Sequence, residues 1–156
     1  MKIQIDQSGK IEQTNLDTII AISNDKNFSV LLNKKNKRIL EKNFKKLGKI
    51  KSYSFVIFAA LVAILIKAAV FKEKIIIDQE YIGHENTIHE KILHFLRDLG
   101  REDELIIEFG HIGKLSNAHD LAAKVGAKKI KTNNIDSLGE ILQLVLEVDH
   151  QKRPRS

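Results

Sequence analysis

Apolar and polar residues alternate with a period of two in residues 2–6, which is typical of a half-buried strand. Two short, mainly apolar segments follow and predict a second strand over Thr18–Ile22 and a third over Phe28–Leu32. The polar connection between the second and third segments predicts a hairpin. Two later apolar runs predict further strands, at Lys74–Asp78 and Leu105–Phe109.

Apolar residues recur at helical spacing in the segments between and after these strands. The pattern begins at residues 34–47, which Gly48 closes, as glycine commonly does at the end of a helix. The helices predicted after it span Tyr53–Phe71, Glu85–Leu99, Asn117–Val125 and Ser137–Val148. A hairpin followed by alternating helices and strands predicts an α/β fold in which helices flank a mixed sheet.

The helix at 53–71 is apolar on nearly every side. Its unbroken apolar part runs only from Phe55 to Ile66, and Lys67 then interrupts it. A membrane span needs roughly 20 apolar residues, so the pattern favours a buried core helix. A membrane anchor at 53–71 remains an alternative interpretation.

Length and composition indicate a single globular domain. The chain has 156 residues, of which 43% are hydrophobic. We predict the domain at 1–150 and a disordered basic tail at 151–156. The chain has no cysteine, which excludes disulfides, thiol nucleophiles and cysteine-ligated zinc and favours a cytoplasmic location.

The formal net charge of +6 is concentrated in residues 34–51, where nine basic residues face one acidic residue. A basic helix can follow a phosphate backbone, which makes nucleic acid the expected partner. A solvated helix face and a membrane-surface helix are the alternatives. The candidate nucleic-acid-binding residues are Lys34, Lys35, Lys37, Arg38, Lys42, Lys45, Lys46 and, farther along the chain, Lys114.

Acidic residues at two predicted strand ends indicate a candidate metal site. Asp6 and Asp78 meet if their strands are neighbours, and Asp120 could join them from a later helix. Carboxylate oxygens are ligands for Mg²⁺, and a pair of such ions can activate water and stabilise the leaving oxygen of a phosphodiester.

Three segments in the same order resemble the ribonuclease H-like superfamily, type 1 ribonuclease H in particular. IQIDQSGKI is similar to the opening strand of that family, KIIIDQEYIG to its fourth strand, and GHIGKLSNAHDLAAKV to its loop and last helix. The resemblance implies a ribonuclease H-like fold with Mg²⁺ or Mn²⁺ as cofactor. It assigns metal-binding roles to Asp6, Asp78 and Asp120, and matches Tyr81, His111 and Asn117 to other motif positions.

The chain departs from this family at three places, the first of which is a basic helical insertion at about 34–51. VIFAALVAIL puts Val56 where the family carries a metal-binding Glu, and the last motif is one residue shorter, so that His119 can occupy the place of the final Asp. Glu80 is the nearest replacement acid, because alternate residues of an extended segment point to the same side. A helix-capping role for Glu80 is the alternative, and His119 could instead transfer a proton near the leaving group.

The leading hypothesis is a Mg²⁺- or Mn²⁺-dependent nuclease for RNA, RNA–DNA hybrid or structured DNA. Its catalytic residues would be Asp6, Asp78, Asp120, Glu80 and His119. The second hypothesis is a catalytically inactive nucleic-acid-binding module on the same fold, because the helix Glu is missing. The third is a small membrane-associated protein anchored by 53–71.

Overall fold

The computed structural model describes residues 3–23, 28–69, 74–101, 105–110, 139 and 141–145. The predicted helix at 117–125, the predicted tail at 151–156 and the candidate residues Lys114, His119 and Asp120 lie outside this described part.

The described fold is α/β, as the pattern predicts, with a five-stranded mixed sheet. Its strands are β1 (Ile3–Ser8), β2 (Thr18–Ser23), β3 (Phe28–Leu32), β4 (Ile75–Asp78) and β5 (Ile107–Gly110). They lie in the order β3-β2-β1-β4-β5. The pairs β1–β2 and β2–β3 are antiparallel, which confirms the predicted hairpin, whereas β4 pairs in parallel with both β1 and β5.

The first strand runs two residues beyond its predicted end. Gln7 and Ser8 stay paired with Ile20 and Ile19 of β2, so hydrogen bonding across the sheet extends the strand past the end of its apolar alternation. The chain then turns at Gly9, whose φ of 76° is a conformation that favours glycine. Conversely, β5 begins at Ile107 rather than at the predicted Leu105.

Helices lie in the two connections that follow β3 and β4. These are α1 (Lys34–Lys46), α2 (Tyr53–Ala69) and α3 (Glu85–Asp98), with a short 3₁₀ turn at Ile50–Ser52. The Asn33 side chain caps α1 by accepting a hydrogen bond from the Asn36 N–H at 2.8 Å. Residues 139 and 141–145 are helical, inside the helix predicted at 137–148.

The apolar helix α2 is the centre of the hydrophobic core. Residues 56–66 are all buried, and α2 packs against α3 and against β2 and β3. The segment Ile50–Ala68 is long and apolar enough to span a membrane by composition, yet 67% of its apolar 18-residue window is buried inside the protein. In the described structure it therefore has the environment of a core helix.

The two faces of the sheet carry different residues. The face toward the main core carries Ile3, Ile5, Ile75 and Ile77, all buried. Strand alternation puts Asp6 on the opposite face. Because alternate residues of a strand point to opposite faces of the sheet, the acidic residues are kept away from the core that α2 fills.

The position of Lys37 shows that the prediction of a nucleic-acid contact at this residue is wrong. Its side chain is 0% exposed, and its ammonium group donates hydrogen bonds to the backbone carbonyls of Lys10, Gln13 and Leu16 at 2.9, 3.0 and 2.6 Å. Burial lowers the pKa of Lys37 to about 8. Lys37 is therefore not a nucleic-acid contact, because its donors already hold the β1–β2 loop against α1.

We expect Lys37→Met to destabilise the protein by about 2–4 kcal/mol, because three loop carbonyls lose a charged donor. Lys35→Met, on the exposed face of the same helix, should change the stability by less than about 0.5 kcal/mol. The measurement is the free energy of unfolding in urea. Equal stabilities for the two variants would contradict the assigned role of Lys37.

Candidate metal centre

Parallel pairing of β1 with β4 brings two aspartates together. Ile5 is paired with Ile77, so the next residue of each strand, Asp6 and Asp78, comes to the same edge of the sheet. Both residues follow a core-facing isoleucine and therefore project from the opposite face. This is the juxtaposition that the sequence predicted on condition that the two strands were neighbours.

A bend after β4 adds a third carboxylate. The Gln79 N–H donates to the Gly110 carbonyl at 3.1 Å, and the Glu80 N–H donates to the Asp78 carbonyl at 3.0 Å. These bonds hold Glu80 beside the strand end. One carboxylate oxygen from each of Asp6, Asp78 and Glu80 lies within 4.8 Å of the other two; we call these three residues the acidic trio.

The acidic trio is partly withdrawn from water. Asp6 is 3% exposed, and its Oδ1 accepts a hydrogen bond from the Gln7 N–H at 2.8 Å, while Asp78 and Glu80 are half-buried. Three negative charges this close repel one another, and partial burial strengthens the repulsion. Protonation of one member, or a bound cation, would relieve it.

Glu80 shows the effect of this crowding. Burial, together with a hydrogen bond to Asp78 and the negative charges of Asp78 and Asp6, raises the pKa of Glu80 to about 8, and the positive charge of Lys10 opposes the rise. A carboxyl group with a raised pKa binds a proton near neutrality and releases it when a cation arrives.

The donor set fits a hard divalent cation. All three ligands are carboxylate oxygens, and Mg²⁺ is commonly held by one or two carboxylates with waters and substrate phosphates completing its shell. Mn²⁺ accepts the same oxygen ligands. The acidic trio can therefore hold an ion without a histidine or a sulfur ligand.

The alternative role of Glu80 as a helix cap is wrong. His84 is the residue at the N-cap position of α3, and the carboxylate that accepts from the Gly83 N–H, at 2.9 Å, belongs to Glu85. Glu80 lies instead with the two aspartates. Val56, at the position where the resembled family has an acid, lies on α2 and is 8% exposed.

Two side chains with buried polar atoms, Gln7 and Tyr81, adjoin members of the acidic trio in the chain. Gln7 is 8% exposed on the core face of β1, and the Tyr81 ring packs edge-on against Phe55 and Phe58. The Tyr81 hydroxyl lies near the Gln7 amide, but neither has a partner with hydrogen-bond geometry among the described residues. Burial raises the pKa of the Tyr81 hydroxyl. The sequence analysis did not predict a role for Gln7. The sequence nevertheless shows a polar amide at a position where the alternation of β1, after Ile3 and Ile5, calls for an apolar residue.

The exposed face of α1 is a stripe of positive charge about 20 Å long, at 1.5 Å per residue. Leu40 and Phe44 are buried on the opposite side. Only one ion pair is described within this helix, between Lys45 and Glu41 at 3.4 Å. The cationic stripe consists of Lys34, Lys35, Arg38, Lys42, Lys45 and Lys46, all exposed.

We expect Mn²⁺ binding at neutral pH to release close to one proton, because Glu80 is mostly protonated below its pKa of about 8. The affinity for Mn²⁺ should rise between about pH 6 and pH 8, as the competing proton is lost. Calorimetry in buffers of different ionisation enthalpy measures both quantities.

The matched variants for this experiment are Glu80→Gln and Glu90→Gln. Glu80→Gln should bind Mn²⁺ more weakly and release no proton from this position, whereas Glu90 is exposed on α3 and its variant should behave as the wild type. Affinity that does not change with pH in the wild type would contradict the assignment.

Comparisons of the chain with models of known protein families, with curated proteins and with solved structures found no match. The function of the chain is therefore inferred from its own residues and their geometry.

Proposed function

We propose that this chain is a divalent-metal-dependent nuclease that hydrolyses phosphodiester bonds in RNA, RNA–DNA hybrid or structured DNA. The observation that carries the proposal is the convergence of Asp6, Asp78 and Glu80 within 4.8 Å. Mg²⁺ or Mn²⁺ is the ion that such a site would use.

The arrangement of the sheet supports a ribonuclease H-like fold. A hairpin of three strands is followed by helices that alternate with β4 and β5, which is the order that the resemblance implies. Asp6 and Asp78 lie on adjacent parallel strands, at the positions that the resemblance assigns to metal ligands. Under this proposal Asp120 adds a further ligand and His119 assists proton transfer.

The acidic trio would contribute to the chemistry by holding the ion in a fixed position. A bound divalent ion supplies an activated water and neutralises developing negative charge on a phosphodiester. Asp6 is fixed by burial and by its bond from the Gln7 N–H, so its position is set before an ion binds. Glu80 lies in the bend after β4 and exchanges a proton for the ion, in place of the Glu that α2 lacks at Val56.

The cationic stripe supports nucleic acid as the substrate. Its cations lie along one face of α1, and Lys37 fixes this helix to the loop that follows β1. The stripe therefore has a fixed relation to the strand that carries Asp6. Phosphate contacts from Lys and Arg position a nucleic acid without reading its sequence.

The decisive experiment is cleavage of end-labelled RNA, RNA–DNA hybrid and junction DNA with Mn²⁺. Asp6→Asn and Asp78→Asn should each reduce the rate by more than about 100-fold, because a metal ligand matters more than the outer-shell groups whose loss costs 10- to 100-fold. Glu90→Gln is the matched control and should cleave at the wild-type rate.

Cleavage by Asp6→Asn at the wild-type rate would show that the activity comes from a contaminant. Mn²⁺ binding and nucleic-acid binding without any cleavage would instead identify a catalytically inactive binding module. That alternative is favoured by one specific observation, the buried Val56 on α2 in place of an acid.

Binding to the same substrates should weaken as salt increases, because each cation that contacts a phosphate releases counterions. Replacing Lys35, Arg38 and Lys42 together by Gln should lower the affinity and reduce the slope of log K against log salt by about 0.9 for each phosphate that the variant no longer neutralises. Filter binding at several salt concentrations measures the slope. A slope that does not change would remove the cationic stripe from the interface.

A further inference from the structure

The loop that follows β1 has a fixed backbone at its first residues. A Cβ atom on Gly9 would collide with the carbonyl oxygen of Asp17, so the close approach at this turn requires glycine. The Thr18 hydroxyl donates to the Gly9 carbonyl at 2.7 Å. The path of the chain from Asp6 to the loop is therefore closely defined.

Lys10, the next residue, has both of its backbone polar groups engaged. Its N–H donates to the Gln13 side chain at 3.2 Å. Its carbonyl accepts from the Gln13 N–H at 3.0 Å and from the Lys37 ammonium at 2.9 Å. A charged donor on the carbonyl forms a stronger bond than a neutral one, so the base of the Lys10 side chain is held in place.

The Lys10 side chain, by contrast, is exposed. Lys10 comes four residues after Asp6 and two residues beyond the end of β1, so it lies at the end of the sheet where the acidic trio is found. Consistent with this position, its positive charge lowers the pKa of Glu80. It makes no ion pair with any residue in the described part of the chain. The result is an exposed cation on a fixed backbone, at the same end of the sheet as the acidic trio.

A cation in this place weakens the binding of a metal ion alone, since like charges repel. The same cation strengthens the binding of an anion that enters the site together with the metal. Substrate phosphates commonly complete the shell of Mg²⁺, and lysine binds phosphate as a point charge.

We propose that Lys10 is a phosphate-binding residue of the acidic trio, which contacts a non-bridging oxygen of the phosphodiester that the metal ion engages. This inference rests on the proposed nuclease function and adds to it a phosphate-binding group outside the acidic trio. Lys10 differs from the cationic stripe because it acts at the reacting phosphate rather than along the backbone of the nucleic acid.

The test compares Lys10→Met, Lys10→Arg and Arg97→Met in Mn²⁺-dependent cleavage. Lys10→Met should lower kcat/KM by about 10- to 100-fold, the loss expected for a charged hydrogen bond, whereas Lys10→Arg should retain most of the activity. Arg97 is exposed near the opposite end of α3, and its variant removes one positive charge away from the site and should behave as the wild type.

Binding of Mn²⁺ alone is the second measurement. Lys10→Met should bind the ion as tightly as the wild type or more tightly, because a repelling charge is removed. Wild-type cleavage by Lys10→Met would overturn the proposal. Weaker Mn²⁺ binding by Lys10→Met would also overturn it, because Lys10 would then support the shape of the site rather than bind phosphate.

Pyrophosphate binding in the presence of Mn²⁺ separates this proposal from the nuclease function. If the wild type cleaves none of the substrates, the nuclease function fails, and pyrophosphate still tests Lys10. Weaker pyrophosphate binding by Lys10→Met than by Arg97→Met would support the role of Lys10. Equal binding, or no binding by the wild type, would overturn it.

Discussion

The parallel pairing of β1 with β4 is the contact on which the rest of the site depends. It joins residues more than 70 positions apart in the chain and places Asp6 beside Asp78. Such a pairing between distant segments requires a long connection that packs on the sheet. Here α2 supplies much of that packing, and its buried apolar surface offsets the repulsion between the carboxylates of Asp6 and Asp78. The hydrophobic core therefore stabilises an arrangement of carboxylates that their mutual repulsion opposes.

Two buried or half-buried charged groups have opposite roles beside this sheet. Lys37 is buried with three carbonyl partners and joins α1 to the β1–β2 loop, so its charge is satisfied within the protein. Glu80 is half-buried against two other acids, so its charge is unsatisfied until a proton or a cation binds. The first arrangement holds the fold together, and the second makes the site responsive to a ligand. Groups whose environment disfavours their charged form are typical of functional sites.

The candidate site was only partly predictable from the sequence. Asp6 and Asp78 were found because each ends an apolar run, and Glu80 was found because it lies two residues beyond Asp78. Lys37 was assigned wrongly, since residue type shows that a lysine is charged but not whether its helix turns it inward. Gln7 and Lys10 were missed, because their significance depends on neighbours from β4, α1 and the loop after β4, which composition and periodicity do not reveal.

The sequence by itself determined the strands and helices of the described part of the chain and the choice of an α/β fold, because hydrophobic periodicity is a local property that each segment carries alone. It also determined that the positive charge is concentrated before the long apolar helix. Only the tertiary structure decided which acids share a site, which lysine is buried, and which polar groups lie beside the acidic trio. These are contacts between distant segments, and their geometry follows from strand register and helix packing, which no single segment specifies.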